Sequence, residues 1–160
     1  MKIDSSRFGS IEIPDDNVIA LPQGLIGLAG TRYALIAQSE GSPFLWLHSV
    51  DDGGLAVPVT NPWLFFPEYE VRLSDDDAAQ LELEGPEQAD ILCIVCAAED
   101  LAGFTVNLLS PVVVNGERRL ARQVINEASG YGVREPLFSE VELGEAGTAE
   151  PQAPVVSKVA

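Results

Sequence analysis

Apolar and polar positions alternate from close to the start of the chain. Phe8, Ile11 and Ile13 are separated by Gly9, Ser10 and Glu12, and a second run, Val18-Ile19-Ala20-Leu21, follows the turn-forming Pro14-Asp15-Asp16-Asn17. Period-two patterning on either side of a proline-led turn predicts a β-hairpin over 8–21. Further strands are expected over 33–38, 44–50, 55–60 and 69–73. Pro58 interrupts the third of these, and a proline cannot donate to a β-ladder, so that strand should lie at an edge or carry a bulge. Such an edge is a candidate contact site.

One helix is signalled. Ser74 supplies an N-cap hydroxyl, Asp77 stands at the capping-box position three residues on, and Asp75, Asp76 and Asp77 set negative charge against the positive end of the helix dipole. The spacing predicts a helix over 75–83, stopped by Gly85-Pro86. So short a helix must dock on a sheet. Beyond it, the apolar runs 90–98 and 104–114 read as strands, and Asn115-Gly116 before 118–125 is the strongest two-residue hairpin signal, since both central positions need positive φ. The chain should turn again at Gly130-Tyr131-Gly132. About nine strands and one short helix predict a mainly β, antiparallel, barrel-like or sandwich-like single domain over 1–138. From 139 to 160, Glu, Ala, Gly, Pro and Val occur without periodicity, and this stretch is expected to be a disordered tail.

Charge narrows the partners. Asp and Glu number 25 against 9 Lys and Arg, a formal net charge of -16. Affinity for nucleic acid comes largely from Lys and Arg displacing counterions from phosphates, so direct nucleic-acid binding is disfavoured. An acidic surface can instead steer a basic protein partner or serve solubility alone, and charge does not decide between the two. The first residues, MKIDSSRFGSIEIP, lack the apolar core of a secretory signal, and no run reaches membrane-spanning length, so a cytoplasmic location without membrane contact is expected.

No catalytic pattern in the chain is complete. Cys93 and Cys96 have the spacing of half a redox or zinc site, but on a strand an offset of three sends the side chains to opposite faces. Further ligands are also lacking, because these are the only cysteines and His48 is the only histidine. His48, Ser49 and Asp51 look like triad members, yet the Gly-x-Ser-x-Gly turn is missing and adjacent strand residues point apart. Gly24, Gly27 and Gly30 lack phosphate-loop spacing, and Asp51-Asp52-Gly53-Gly54 lacks the EF-hand alternation. No cofactor, metal or catalytic residue is assigned, and a binding role without enzymatic chemistry is expected. The alternative is a cytosolic hydrolase using a carboxylate pair assembled by the fold.

Residues 61–70, Asn-Pro-Trp-Leu-Phe-Phe-Pro-Glu-Tyr-Glu, stand out for four aromatics between two prolines and two acids. Two readings are open: a preorganised protein-binding surface with aromatic anchors and a charged rim, or a loop whose rings plug the core. The contact candidates are Asp51, Asp52, Phe65, Phe66, Glu68, Tyr69 and Glu70.

The stretches 8–13, 21–27, 42–52, 61–70 and 107–115, completed by Gln123-Val-Ile and Ser129-Gly-Tyr131, resemble the bacterial flagellar assembly factor FliW family over about 1–137. The resemblance implies a barrel-like β fold and a partner-switching role. Members bind the RNA-binding translational regulator CsrA and relieve its repression of flagellin messenger RNA by an allosteric or noncompetitive route rather than by mimicry of RNA, and newly made flagellin binds FliW and releases CsrA. The free protein is expected to be monomeric. His48, Gly53 and Pro58 depart from the family pattern.

Overall fold

Strand-forming runs close on themselves when each has a neighbour on both sides, and here seven of them do. The computed structural model describes residues 1–28, 30–37, 40–128 and 130–138, together with the backbone of Val155 and Val156. Strands β1 (Lys2–Ser5) and β2 (Gly9–Glu12) form a separate hairpin. The barrel is built from β3 (Val18–Ala20), β4 (Arg32–Ala37), β5 (Phe44–Ser49), β6 (Ala56–Thr60), β7 (Ala89–Cys96), β9 (Val112–Asn115) and β10 (Leu120–Gln123). These pair in that order, β7 with β9, and β10 returns to β3. Closure there is narrow: one parallel pair, Leu120 with Ala20, supported by the Ala20 amide donating to the Arg119 carbonyl at 2.9 Å. Strands β8 (Thr105–Val106) and β11 (Glu135–Pro136) extend from the end of β7. The single α-helix among the described residues, α1, spans Asp75–Gln80.

Alternation sorts the side chains of each wall. Tyr33, Leu35, Leu47, Val59, Leu92, Val112 and Val114 fill the barrel, joined by Ile19, Leu21 and Leu25. The opposite face of β4 and β5, with Ala34, Ile36 and Trp46, packs against Ile3, Ile11 and Ile13 of the β1–β2 hairpin. The outer face of β7 and β9, with Ile91, Cys93, Val95 and Val113, packs under Tyr69, Leu81 and Leu83. One barrel thus carries three apolar clusters, one inside and two on its outer walls.

Several expectations are corrected. Residues 8–13 do not pair with 18–21: β2 pairs with β1, while β3 pairs with β4 and β10. Pro14 and the 3-10 turn Asp15–Asn17 carry the chain from the outer hairpin into the barrel wall, and Lys2–Ser5 supplies the partner strand. Residues 69–73 form no ladder. Residues 104–114 divide into β8 and β9, because the amides of Leu108 and Leu109 bond to the Gly132 carbonyl and that of Ser110 to Asn107 Oδ1. The hairpin after β9 exists, but Leu120 pairs with Asn115, so four residues form the loop, and Arg119 rather than Gly116 takes positive φ, at 52°. Asn115 is buried and staples α1 instead, its Nδ2 donating to the Leu81 carbonyl at 2.9 Å. Helix α1 stops at Gln80, before the expected 83, and Ser74 Oγ caps it by accepting from the Asp77 amide at 3.0 Å. Strand β6 lies between β5 and β7, but its pairing with β7 begins only at Val59, so Pro58 pairs with Trp46 of β5 and has no partner on the β7 side among the described residues. Of the expected tail, 139–154 and 157–160 lie outside the described residues; Val155–Val156 forms β12, antiparallel to Ile36 and Ala37 of β4.

Candidate protein-binding surface

The segment 61–73 crosses the outer wall of the barrel without a strand partner, so its polar backbone must be satisfied otherwise. Side chains do it. Asn61 Oδ1 accepts from the Trp63 amide at 3.0 Å, and Pro62 opens a 3-10 turn, Pro62–Leu64. Trp63 Nε1 donates to the Tyr69 carbonyl at 2.8 Å, closing the loop on itself. Asn126 then clamps the next stretch: its Oδ1 accepts from the Arg72 amide at 3.0 Å and its Nδ2 donates to the Glu70 carbonyl at 2.7 Å. The Glu70 amide donates to the Tyr131 hydroxyl at 3.2 Å.

Tyr69 is the hub. It is 3% exposed, its hydroxyl donates to the Leu108 carbonyl at 2.6 Å and accepts from Asn126 Nδ2 at 3.2 Å, and its ring meets Tyr131 edge-on at 4.8 Å. Burial, with the neighbouring Cys93 as a further cause, pushes its phenol well above the ordinary range. Cys93 beneath it is pushed up to about 12, again by burial. Cys96 is exposed, and both are free thiols.

The sequence candidates therefore fall into two groups. Phe65, Phe66, Glu68, Tyr69 and Glu70 come together on this segment. Phe65 is half-buried, stacked on Phe44 at 6.0 Å and edge-on to Phe138 at 5.5 Å, and Phe66 packs into the same cluster. Glu68 and Glu70 are exposed. On this segment the large apolar groups open to solvent are the neighbours Trp63, 39% exposed, and Leu64, 60% exposed. Asp51 and Asp52 lie at the other end of β6, about 17 Å of strand away. There Asp51 forms a two-point ion pair with Arg32, Nε to Oδ2 at 3.1 Å, and hydrogen bonding from that guanidinium holds its carboxyl below the usual range. Asp52 Oδ1 accepts from the Gly54 amide at 2.9 Å, a local turn contact.

Other candidates have structural partners. His48 is buried, with Nδ1 at 2.7 Å from the Ser49 carbonyl and Nε2 at 2.8 Å from Ser5 Oγ. A carbonyl only accepts, so Nδ1 carries the proton and Nε2 accepts from the serine hydroxyl. The ring pins the β1–β2 hairpin to β5. Asp90 has a raised carboxyl, but its cause is burial rather than the neighbouring carboxylate of a paired acid site. No helix of the described residues is long and apolar enough to cross a membrane.

Sequence reasoning missed Asn126 and Tyr131, the residues that hold the segment. The available signal was weak: an asparagine in the apolar run Val124-Ile125-Asn126, and a tyrosine between two glycines.

The family profile described as FliW protein matches residues 2–137. The chain is 39% identical over 142 residues to the flagellar assembly factor FliW of Natranaerobius thermophilus, covering 88% of this chain and 94% of that protein. It is 36% identical over 146 residues to the flagellar assembly factor FliW of Desulfitobacterium hafniense strain Y51, covering 91% and 96%. A crystal structure of the flagellar assembly factor FliW superposes with a TM-score of 0.80 at 31% identity, covering 88% of this chain and 99% of that one. Shared sequence along nearly the whole barrel, together with the same three-dimensional course, shows that this chain belongs to the FliW family of flagellar assembly factors.

Proposed function

We propose that this protein regulates flagellin synthesis by occupying a CsrA-type translational regulator in the cytoplasm, and that flagellin takes the regulator's place in a partner switch. The observation that carries the reading is the segment 61–73. It is held by side chains from distant parts of the chain, and it sets exposed Trp63 and Leu64 beside exposed Glu68 and Glu70. An apolar patch with an acidic rim on a chain of net charge -16 suits a basic protein partner and repels RNA itself. Family membership supports the flagellar setting.

In this reading Glu68 and Glu70 supply rim charge, Phe65 and Phe66 support the patch from below, and Tyr69 acts through the loop it fixes. Asp51 and Asp52 form a second acidic point, for steering. Size-exclusion chromatography of the protein mixed with the regulator, and separately with flagellin, tests the proposal; absence of a complex with either sinks it. Association with the regulator should slow as salt rises, because screening shortens the reach of the acidic field. Phe65→Ala separates the two roles of the segment: a lowered melting temperature marks a core plug, whereas weaker binding by a fold of unchanged stability marks an anchor.

A further inference from the structure

The barrel closes least completely at the seam between β3 and β10. Strand β3 meets β10 through Ala20 alone, so among the described residues Val18 and Ile19 have no strand neighbour on that side. The Ala20 amide crosses the seam to the Arg119 carbonyl, and the Val18 carbonyl, two residues earlier on the same extended strand, is turned to the same side. Beside the seam lies a groove of about 430 Å³. Val18, Ala20 and Leu120 give it an aliphatic lining, and Arg32, Arg118 and Arg119 bring three guanidinium groups to it. The β9–β10 loop sets two of these in place. Arg119 takes positive φ there, and its Nη1 donates to the Asp15 carbonyl at 3.0 Å, tying the loop to the turn that leads into β3.

The charge of this groove is opposite to that of the molecule. Three of the chain's nine Lys and Arg line it, against 25 Asp and Glu overall. The one carboxylate in the lining, Asp15, lies 3.5 Å from the Met1 ammonium. Arg118 is exposed, and its guanidinium has no ion-pair partner among the described residues. Arg32 pairs with Asp51, but both are half open to water, where such a pair is weak enough to exchange for another carboxylate. We propose that the seam groove binds an extended acidic segment of a partner protein, laid along the open edge of β3 with its carboxylates on Arg118 and Arg32. Arg119 acts by holding the loop. A strand edge recognises a peptide backbone, and the aliphatic lining takes the intervening side chains. RNA fits less well: the lining holds no aromatic ring for a base to stack on, and a long polyanion would extend past the groove into the field of a chain of net charge -16. None of the lining residues belongs to the 61–73 segment, so this site is independent of the function proposed above.

Fluorescence anisotropy on the full-length protein at low salt tests the assignment. A labelled peptide of alternating Glu and Val should bind, and the matched Gln and Val peptide should bind about tenfold more weakly or worse, because it keeps the backbone and the apolar side chains but lacks the charge. Arg118→Glu reverses an exposed side chain in a loop and should weaken the acidic peptide about tenfold, whereas Arg118→Lys should retain most of the affinity. Arg32→Gln should weaken it about threefold, since Arg32 must first part from Asp51. Raising the salt should weaken binding by the parent more than by Arg118→Glu. The assignment is overturned if the parent does not bind the acidic peptide, or if Arg118→Glu and Arg32→Gln both bind it as the parent does. It is equally overturned, in favour of a phosphate chain, if labelled oligouridylate binds the parent more tightly than the peptide does and loses that affinity in Arg118→Glu.

Discussion

The two outer walls of the barrel are covered in different ways. Over β4 and β5 the cover is a β-hairpin with a four-pair ladder, pinned by His48 to Ser5 and by the Ser6 amide donating to the Gly53 carbonyl at 2.9 Å. Over β7 and β9 the cover is an unpaired segment and a six-residue helix, held by Asn126, Tyr131, Asn115 and the Ser74 cap. A ladder satisfies its backbone internally and can lie flat on an apolar face. A side-chain clamp fixes the cover at points, and between the points it leaves an apolar groove lined by Trp63, Leu73, Leu83 and Ile91. The clamped wall, not the laddered one, combines exposed aromatic surface with the strongest local charge. Binding surface arises where the cover is incomplete.

The largest expected effect breaks the clamp. Tyr69→Ala removes a buried ring and two hydroxyl hydrogen bonds, and urea denaturation should show a loss of about 4 kcal/mol. Exchange of the Arg72 amide should speed up in that variant while the β1–β2 amides keep their protection. Unequal loss of protection is the signature of two independently fixed covers.

Gly53→Ala tests the opposite wall. A Cβ there would stand 2.0 Å from the Asp4 carbonyl oxygen, so the hairpin must shift, at a cost of about 2 kcal/mol by thermal or urea melting. If the hairpin wall is as loosely held as the clamped one, the substitution will be neutral.

The thiols contrast a buried position with an open one. Cys96 should react rapidly with a thiol reagent at pH 8, and Cys93 only on unfolding. The Cys93 thiol is raised in the folded state from 9.0 to about 12. Its proton is held in both states below pH 9, so its contribution is fully present there. As pH rises from 9 towards 12 the unfolded chain ionises first, and stability falls by about 1.4 kcal/mol per pH unit from this group. Cys93→Ala should flatten that alkaline slope in a denaturation series.

Asp51→Asn should have the smallest effect. Its ion pair with Arg32 is solvent-exposed, so the melting temperature should barely move, while association with a basic partner should slow modestly at low salt. A large loss of stability would show that the β5–β6 turn depends on this pair.

Local signals were legible wherever neighbours in sequence decide the outcome. The Ser74 cap, the opposite faces of Cys93 and Cys96, and the short apolar strands β4 and β5 all follow from short-range geometry. The prominence of 61–70 was also legible, from its prolines and aromatics. Which of its rings would face outward was not. Trp63 and Leu64 are open and Tyr69 is closed because Asn126 and Tyr131, 54 to 61 residues further along, fix the backbone between them.

Composition, period and local motifs suffice for a mainly β chain, one capped short helix, a strongly acidic surface and the family resemblance. Tertiary structure decided that β2 turns back to β1, that 69–73 runs without a ladder, and that Asn115 staples a helix instead of making a tight turn. The first was a choice between two neighbouring strands, 2–5 and 18–20, and the other two were set by partners distant in sequence; periodicity carries no record of either.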